Sequence, residues 1–96
     1  MTSKQRAYLR GLANTIEPIF QVGKGGLTDN LIKQLSDALE ARELIKITVL
    51  KNAPDYARDV ANEIAESTNS DVVQVIGNKI TLFRKRKEKS KQRNKS

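Results

Sequence analysis

The chain has 96 residues, a formal net charge of +7, and neither cysteine nor histidine. This length allows one small domain with a modest core. Without Cys and His, the chain lacks the side chains on which most hydrolytic, redox and zinc-dependent sites depend, so we expect no enzyme, no cofactor and no metal site.

The positive charge is concentrated at the C-terminal end. Residues 1–83 contain ten Lys/Arg and ten Asp/Glu, whereas residues 84–96 contain eight Lys/Arg and only one acid, Glu88. A run of like charges without apolar residues cannot form a core and is typical of segments that bind polyanions. We therefore divide the chain into a domain at 1–84 and a basic tail at 85–96, which we expect to be disordered when unbound.

The first half of the chain predicts a helix, a strand and a second helix. In the first helix, the apolar residues at helical spacing are Tyr8, Leu9, Leu12, Ala13 and Ile16. The segment 18–22, PIFQV, lies between a proline and a glycine cluster, which favours a strand. Thr28 then fits the N-cap of a helix, with Asp29 in its first turn. The apolar stripe of this second helix consists of Leu31, Ile32, Leu35, Ala38 and Leu39.

The second half of the chain predicts a strand, a third helix and a hairpin. In ELIKITVLK, residues 43–51, apolar residues alternate with polar ones, which predicts a half-exposed strand that buries Ile45, Ile47 and Val49. The segment 52–68 predicts a helix that begins near Pro54. Gly77-Asn78 joins two β-rich runs and suits a hairpin turn. The order α-β-α-β-α-β-β predicts a compact α/β sandwich with a four-stranded mixed sheet.

The third predicted helix also carries acidic residues at helical spacing: Asp55, Asp59, Glu63 and Glu66. We interpret them as a solvated face rather than as a metal site, because they follow one exposed stripe. This face would repel a polyanion and so restrict the side on which one binds.

A glycine-rich loop, GKGG at residues 23–26, joins the first predicted strand to the second helix. Its glycines let a ligand approach the backbone, and Lys24 and the helix N-terminus favour a phosphate. The glycines alone are equally consistent with a tight turn. Lys24 is followed by Gly25 and no G-x-G-x-x-G occurs, so the nucleotide-binding patterns do not match. The spacing matches instead the GxxG loop with which KH domains hold single-stranded nucleic acid.

Three segments together resemble one known family: KQRAYLRGLA at 4–13, VGKGGLT at 22–28 and ELIKITVL at 43–50. They resemble the YhbY-like proteins, bacterial single-domain members of the CRM family of RNA-binding modules, named for chloroplast RNA splicing and ribosome maturation. The resemblance covers residues 3–84. It implies a fold similar to the C-terminal domain of translation initiation factor three, with the GxxG loop at residues 23–26. It also implies binding to rRNA in precursor large (50S) ribosomal subunits during ribosome assembly.

The candidate RNA-binding residues are the loop and the following helix start, with basic residues of the first helix and the tail: Gly23, Lys24, Gly25, Gly26, Thr28, Lys4, Arg6, Arg10, Arg84, Lys85, Arg86 and Lys87. The assignment of the tail residues to RNA binding rests on charge alone. The basic residues of the first helix are also compatible with an ordinary solvated face. Aromatic content is low, and we expect Tyr8 and Tyr56 in the core rather than as stacking platforms.

The expected partner is RNA, and we expect a monomer. The chain has no apolar signal segment and no stretch of the ~20 apolar residues that a membrane span needs, so we expect a cytoplasmic protein. A membrane surface is not expected as a partner because the tail lacks an apolar face. The alternative function is a protein-binding adaptor whose tail binds polyanions non-specifically.

Overall fold

A computed structural model describes residues 2–85 of the chain. The helices and strands are, in chain order, α1 (Ser3–Ala13), β1 (Phe20–Val22), α2 (Asp29–Arg42), β2 (Leu44–Val49), α3 (Ala57–Thr68), β3 (Asp71–Ile76) and β4 (Lys79–Phe83). The predicted element order and the four-stranded mixed sheet are confirmed. The predicted disorder of the tail beyond Lys85, and the predicted contacts of Arg86 and Lys87, lie outside the described residues.

The sheet has the strand order β1-β2-β4-β3. β1 is parallel to β2, and β4 is antiparallel to both β2 and β3. The carboxyl ends of β1, β2 and β3 therefore lie at the same end of the sheet. We call it the loop end, formed by residues 23–28, 50–56 and 77–78. The carboxyl end of β4 lies at the opposite end, beside the start of β2, and we call residues 43, 70, 84 and 85 the tail end.

The main core lies between one face of the sheet and the helices α2 and α3. The alternating residues of β2 point into it as predicted, and Ile45, Ile47 and Val49 are all buried. Leu35 and Leu39 from α2 and residues of α3 complete the cluster. Burial of these side chains is the dominant stabilising contribution, at about 1.5–3 kcal/mol for each large one.

Helix α1 covers the other face of the sheet, where it contacts β2 and β3. Its contribution to the core is a narrow stripe, since Leu9 and Ala13 are its only buried residues. Tyr8, which was predicted in the core, is 67% exposed. That prediction was wrong because Tyr8 lies about 100° around the helix from Leu9, and the stripe in contact with the sheet is narrower than the apolar pattern implied.

Helix α3 begins later than predicted. It starts at Ala57 instead of near Pro54, and Tyr56 occupies its N-cap with extended backbone angles, φ −72° and ψ 154°. The helical spacing that placed Tyr56 on the apolar stripe therefore does not extend to this residue. Tyr56 is 84% exposed, so its predicted place in the core was also wrong.

Local signals define several of the other boundaries. The Thr28 side chain accepts a hydrogen bond of 3.1 Å from the Leu31 amide, which confirms the predicted N-cap of α2. Asn69 ends α3 in the left-handed region, at φ 56°. The β3–β4 connection is the predicted Gly77-Asn78 turn, with Gly77 at φ 59°.

Candidate functional site

The glycine loop lies at the loop end of the sheet, directly after β1. The Gly26 amide donates a hydrogen bond of 2.9 Å to the Gly23 carbonyl, so residues 23–26 form a tight turn. Lys24 and Gly25 occupy the two central positions of this turn and are both exposed. Neither has a positive φ, as in a type I turn. The tip of the turn therefore presents a cation and a backbone without a side chain to solvent.

The three glycines of the turn differ in what the fold demands of them. Gly26 has φ +66°, and a Cβ atom there would lie 3.1 Å from Pro54 Cγ, so the fold itself requires glycine. At Gly23, an added Cβ would make ordinary contacts, 3.4 Å from Leu50 Cδ1 and 3.7 Å from Asn52 Oδ1. At Gly25, an added Cβ would have no atom of the described residues within 4 Å. Neither packing nor backbone geometry explains a glycine at position 25.

The start of α2 adds exposed backbone amides to this region. A helix start leaves its first four amides without an intrahelical partner, and the Thr28 side chain satisfies the Leu31 amide. The positive end of the helix dipole attracts anions, but Asp29 in the first turn already supplies a negative charge there. The electrostatics therefore favour a phosphate at Lys24 and the turn more than at the helix start.

The segment after β2 packs beside the glycine turn. The Leu50 amide donates a hydrogen bond of 2.8 Å to the Val22 carbonyl, which continues the parallel pairing of β1 and β2 to the loop end. Pro54 lies against Gly26. The β3–β4 turn joins the same end of the sheet through a 2.7 Å hydrogen bond from the Val49 amide to the Asn78 carbonyl.

An open groove of ≈ 440 Å³ runs along the segment after β2. Its polar and aromatic lining includes Lys51, Asp55 and Tyr56, and the hairpin residues Gly77 and Asn78 form its other side. Neither Lys51 nor Tyr56 is among the RNA-binding residues predicted from the sequence. The sheet topology brings them to the site: because β1 and β2 are parallel, the segments that follow both strands lie at the same end of the sheet.

The basic residues of α1 do not form one cluster with the glycine turn. Arg6 is half-buried, and its Nη1 donates hydrogen bonds to the carbonyls of Val72, at 2.6 Å, and Val73, at 3.3 Å. These carbonyls belong to β3, where the pairing with β4 shifts register between Val72 and Gln74. β3 lies three strand positions from β1, which corresponds to roughly 14 Å. Arg6 thus stabilises an irregular strand, and its predicted contact with RNA stays a prediction.

Lys4 and Arg10 are exposed on α1. Residues 2–16 contain no acidic side chain, so the α1 side of the sheet is positively charged. On the other side, Asp59, Glu63 and Glu66 of α3 are exposed, as predicted for a solvated acidic face, whereas Asp55, predicted on the same face, is exposed but precedes the helix. The two sides of the sheet therefore differ in the sign of their charge.

Arg84 lies at the tail end and is held by hydrogen bonds within the fold. Its Nη1 donates to Thr68 O at 2.8 Å and to Ser36 Oγ at 3.0 Å, and its Nη2 donates to Ser36 O at 2.7 Å. Glu40 lies 3.5 Å from Nη2. Arg84 therefore links β4 to α2 and α3, while Lys85 beside it is exposed. The roles of both residues in RNA binding stay predictions.

Neither a candidate membrane-spanning helix nor a candidate metal site is found among residues 2–85. No helix in this range is long and apolar enough to cross a membrane. The same residues contain no group of three or more His, Cys, Asp or Glu side chains placed to hold a metal ion.

Comparisons with known proteins relate the chain to proteins of bacteria and archaea. It is 51% identical over 88 residues to a Bacillus subtilis protein named "Probable RNA-binding protein YqeI", with 92% of each chain covered. It is 32% identical over 88 residues to a Haemophilus influenzae protein named "RNA-binding protein", with 92% of this chain and 89% of the relative covered. A protein of Methanocaldococcus jannaschii, named "Probable RNA-binding protein MJ0652", is 39% identical over 90% of this chain and 65% of its own length.

The fold agrees with that of a solved structure. The solution structure of the hypothetical protein SAV1595 from Staphylococcus aureus superposes with a TM-score of 0.77 at 50% sequence identity and covers 95% of each chain. Residues 1–84 match the family profile described as the CRS1 / YhbY (CRM) domain. On this match and on the identities above, the chain belongs to the CRS1 / YhbY (CRM) domain family.

Proposed function

We propose that this protein binds RNA through the glycine turn at residues 23–26, and that its RNA is rRNA in precursor large ribosomal subunits, whose assembly it assists. The observation that carries the proposal is the glycine at position 25, which the fold does not require. A ligand that closely approaches the backbone would explain a residue without a side chain at this exposed position. The names of the Bacillus and Haemophilus relatives support RNA as that ligand.

In this mechanism, the turn holds the sugar-phosphate backbone of the RNA. Gly25 lets a phosphate approach the main chain, and Lys24 at the neighbouring exposed position supplies a compact positive charge. Backbone amides near the turn then donate hydrogen bonds to the phosphate oxygens. Asp29 disfavours a second phosphate at the start of α2, so the RNA backbone runs past the turn away from this helix.

The charge of the remaining surface supports one orientation of the RNA. The exposed acids of α3 repel phosphates, whereas Lys4 and Arg10 on the α1 side attract them. The basic tail adds affinity that does not depend on sequence. The ribosomal target, which the resemblance implies, and the cytoplasmic location and monomeric state belong to the same proposal.

The test is crosslinking of RNA to the protein in growing cells, followed by sequencing of the attached RNA. Wild-type protein is compared with Gly25→Asp, which places a negative charge and a side chain at the proposed contact. The space around Gly25 is open, so this variant is expected to fold. Asn62→Asp is the matched control, because it adds the same charge at an exposed position of the acidic α3.

We expect crosslinks concentrated in large-subunit rRNA for the wild type and for Asn62→Asp, and their loss in Gly25→Asp. Crosslinks that persist in a folded Gly25→Asp variant would exclude the glycine turn as the contact. Crosslinks scattered over all cellular RNA would exclude the ribosomal target. A protein partner that is retained after nuclease treatment, without any crosslinked RNA, would support the adaptor instead.

A further inference from the structure

Tyr56 has two features for which residues 2–85 offer no structural reason. It is a large aromatic residue that is 84% exposed. It also occupies the N-cap of α3, where Ser, Thr, Asp and Asn are preferred, and it makes no side-chain capping hydrogen bond. Its hydroxyl has no hydrogen-bond partner among residues 2–85. Departures of this kind concentrate at functional sites.

The position of Tyr56 connects it to the glycine turn. Pro54, two residues before it, lies against Gly26, so the segment that carries Tyr56 forms one wall of the turn. Tyr56 lines the groove beside this wall together with Lys51 and Asp55. Pro54 is thus shared by the turn and the groove, and an RNA strand that extends from the turn across Pro54 would reach the aromatic ring.

The charges within the groove determine which part of a nucleotide it accepts. Within the groove, Asp55 is exposed and repels a phosphate, while Lys51 is exposed and attracts one, as does the exposed Lys24 outside the groove on the glycine turn. The phosphates are therefore expected on the side of the two lysines, and the uncharged base is expected against the tyrosine. Every base has a π-face that stacks on an aromatic ring, so this contact tolerates any sequence.

We propose that Tyr56 is a stacking platform for one unpaired base of a single-stranded RNA whose backbone is held by the glycine turn. This inference rests on the proposed function and extends it to the form of RNA that is bound. Bases of an A-form duplex are stacked inside the helix, so a duplex cannot supply the base that Tyr56 requires. The protein therefore recognises a loop, a bulge or a strand end.

The first experiment measures the affinity of the full chain for a labelled oligouridine of about 12 nucleotides, a length within the usual range of such sites. Tyr56→Ala is expected to weaken binding by about 5- to 150-fold, the loss associated with one base–aromatic stack. Tyr56→Phe keeps the ring and is expected to bind like the wild type. Tyr8→Ala is the matched control, because Tyr8 is the other exposed tyrosine and lies on α1. Circular dichroism checks that each variant is folded.

The second experiment uses the fluorescence of the tyrosine itself. The chain has two tyrosines and no tryptophan, so Tyr8→Phe leaves Tyr56 as the single emitting residue. Stacking on a base is expected to quench this emission during titration with oligouridine. An RNA duplex of the same length is expected to bind with little quenching.

The outcomes separate this inference from the proposed function. Loss of binding in Gly25→Asp with unchanged binding in Tyr56→Ala would overturn the stacking platform and leave the glycine turn in place. Unchanged binding in both variants would overturn both proposals. Equal quenching by single-stranded and duplex RNA would also overturn the platform. Weaker binding in Tyr56→Ala but not in Tyr56→Phe or Tyr8→Ala, with quenching by single strands alone, would establish it.

Discussion

The two ends of the sheet use their cationic side chains in different ways. At the tail end, Arg84 donates hydrogen bonds of 2.7–3.0 Å to Ser36 and Thr68, and its side chain is only 20% exposed. At the loop end, Lys24 and Lys51 are exposed. The sequence shows basic residues at both ends, but Arg84 is occupied by hydrogen bonds within the fold, whereas Lys24 and Lys51, like Lys85 beside Arg84, are accessible to a ligand.

The difference follows from the chemistry of the two side chains. A guanidinium group has five donors in a planar fork and can join several carbonyls from different elements. Arg84 and Arg6 both do this, at the tail end and at the irregular part of β3. A lysine ammonium group is a compact, strongly hydrated charge that gives up water less readily. The hydrogen-bond partners of a basic side chain therefore show whether it stabilises the fold or is available to bind a ligand.

The largest expected effect comes from removing the basic tail. The loop and tail ends lie about one β2 length apart, six residues or roughly 17–20 Å, so the glycine turn and Lys85, where the tail begins, lie at different ends of the sheet. Residues 86–96 contain six Lys/Arg. A chain that ends at Lys85 is expected to lose up to about 4 units from the slope of log K against log salt, at ~0.7 per phosphate. Filter binding over a range of salt concentrations measures this slope.

A combined variant sharpens the comparison of the two ends. If the tail and the turn bind independently, the free-energy losses from truncation and from Gly25→Asp should add to within about 0.5 kcal/mol. A clearly non-additive result would show that both ends contact the same stretch of RNA. An unchanged salt slope after truncation would show that the tail does not contact RNA.

The next effect is on stability and concerns Arg84. Arg84→Met removes its hydrogen bonds to Ser36 and Thr68 and leaves these part-buried acceptors without a charged donor, so we expect a loss of about 2–4 kcal/mol in the free energy of unfolding. Arg58→Met is the control, because Arg58 is exposed on α3 and should change stability by less than ~0.5 kcal/mol. Urea denaturation followed by circular dichroism measures both. Similar stabilities for the two variants would contradict a structural role for Arg84.

Gly25 and Gly26, which are neighbours in one turn, should differ in how the same substitution changes stability. Gly26→Ala is expected to destabilise the fold by about 1–2 kcal/mol, because its φ of +66° and the contact with Pro54 disfavour a side chain. Gly25→Ala is expected to leave stability unchanged or to raise it by up to ~1 kcal/mol, since the unfolded chain loses freedom. Thermal unfolding compares the two. A destabilised Gly25→Ala variant would show that the fold, and not a ligand, requires this glycine.

The smallest effect concerns one lysine at the loop end. Lys24→Ala is expected to lower the salt slope of RNA binding by about 0.7–0.9, the contribution of one phosphate contact. Lys33→Ala is the matched control, because Lys33 is exposed on α2, where the proposed RNA path does not pass. Equal slopes for the two variants would remove Lys24 from the contact.

Much of the fold could be predicted because its signals are local. The N-cap at Thr28, the alternation in β2 and the Gly77-Asn78 turn each depend on a few neighbouring residues, and all three are confirmed. The two tyrosines could not be placed in this way. Periodicity shows which residues share a helix face, but it shows neither where a helix begins nor how wide a stripe its neighbours cover.

The sequence by itself determined the order of helices and strands, the position of the glycine turn and the separation of a neutral domain from a basic tail, because each of these depends on residues close together in the chain. Only the tertiary structure decided which glycines and which basic side chains are available to a ligand. Pro54 lies so close to Gly26 that a side chain there is disfavoured. Arg6 donates hydrogen bonds to carbonyls of β3, and Arg84 donates them to residues of α2 and α3. All of these partners are distant in the sequence. Packing and hydrogen bonding between such distant segments separate residues that hold the fold from those left for a ligand, and local sequence does not encode this distinction.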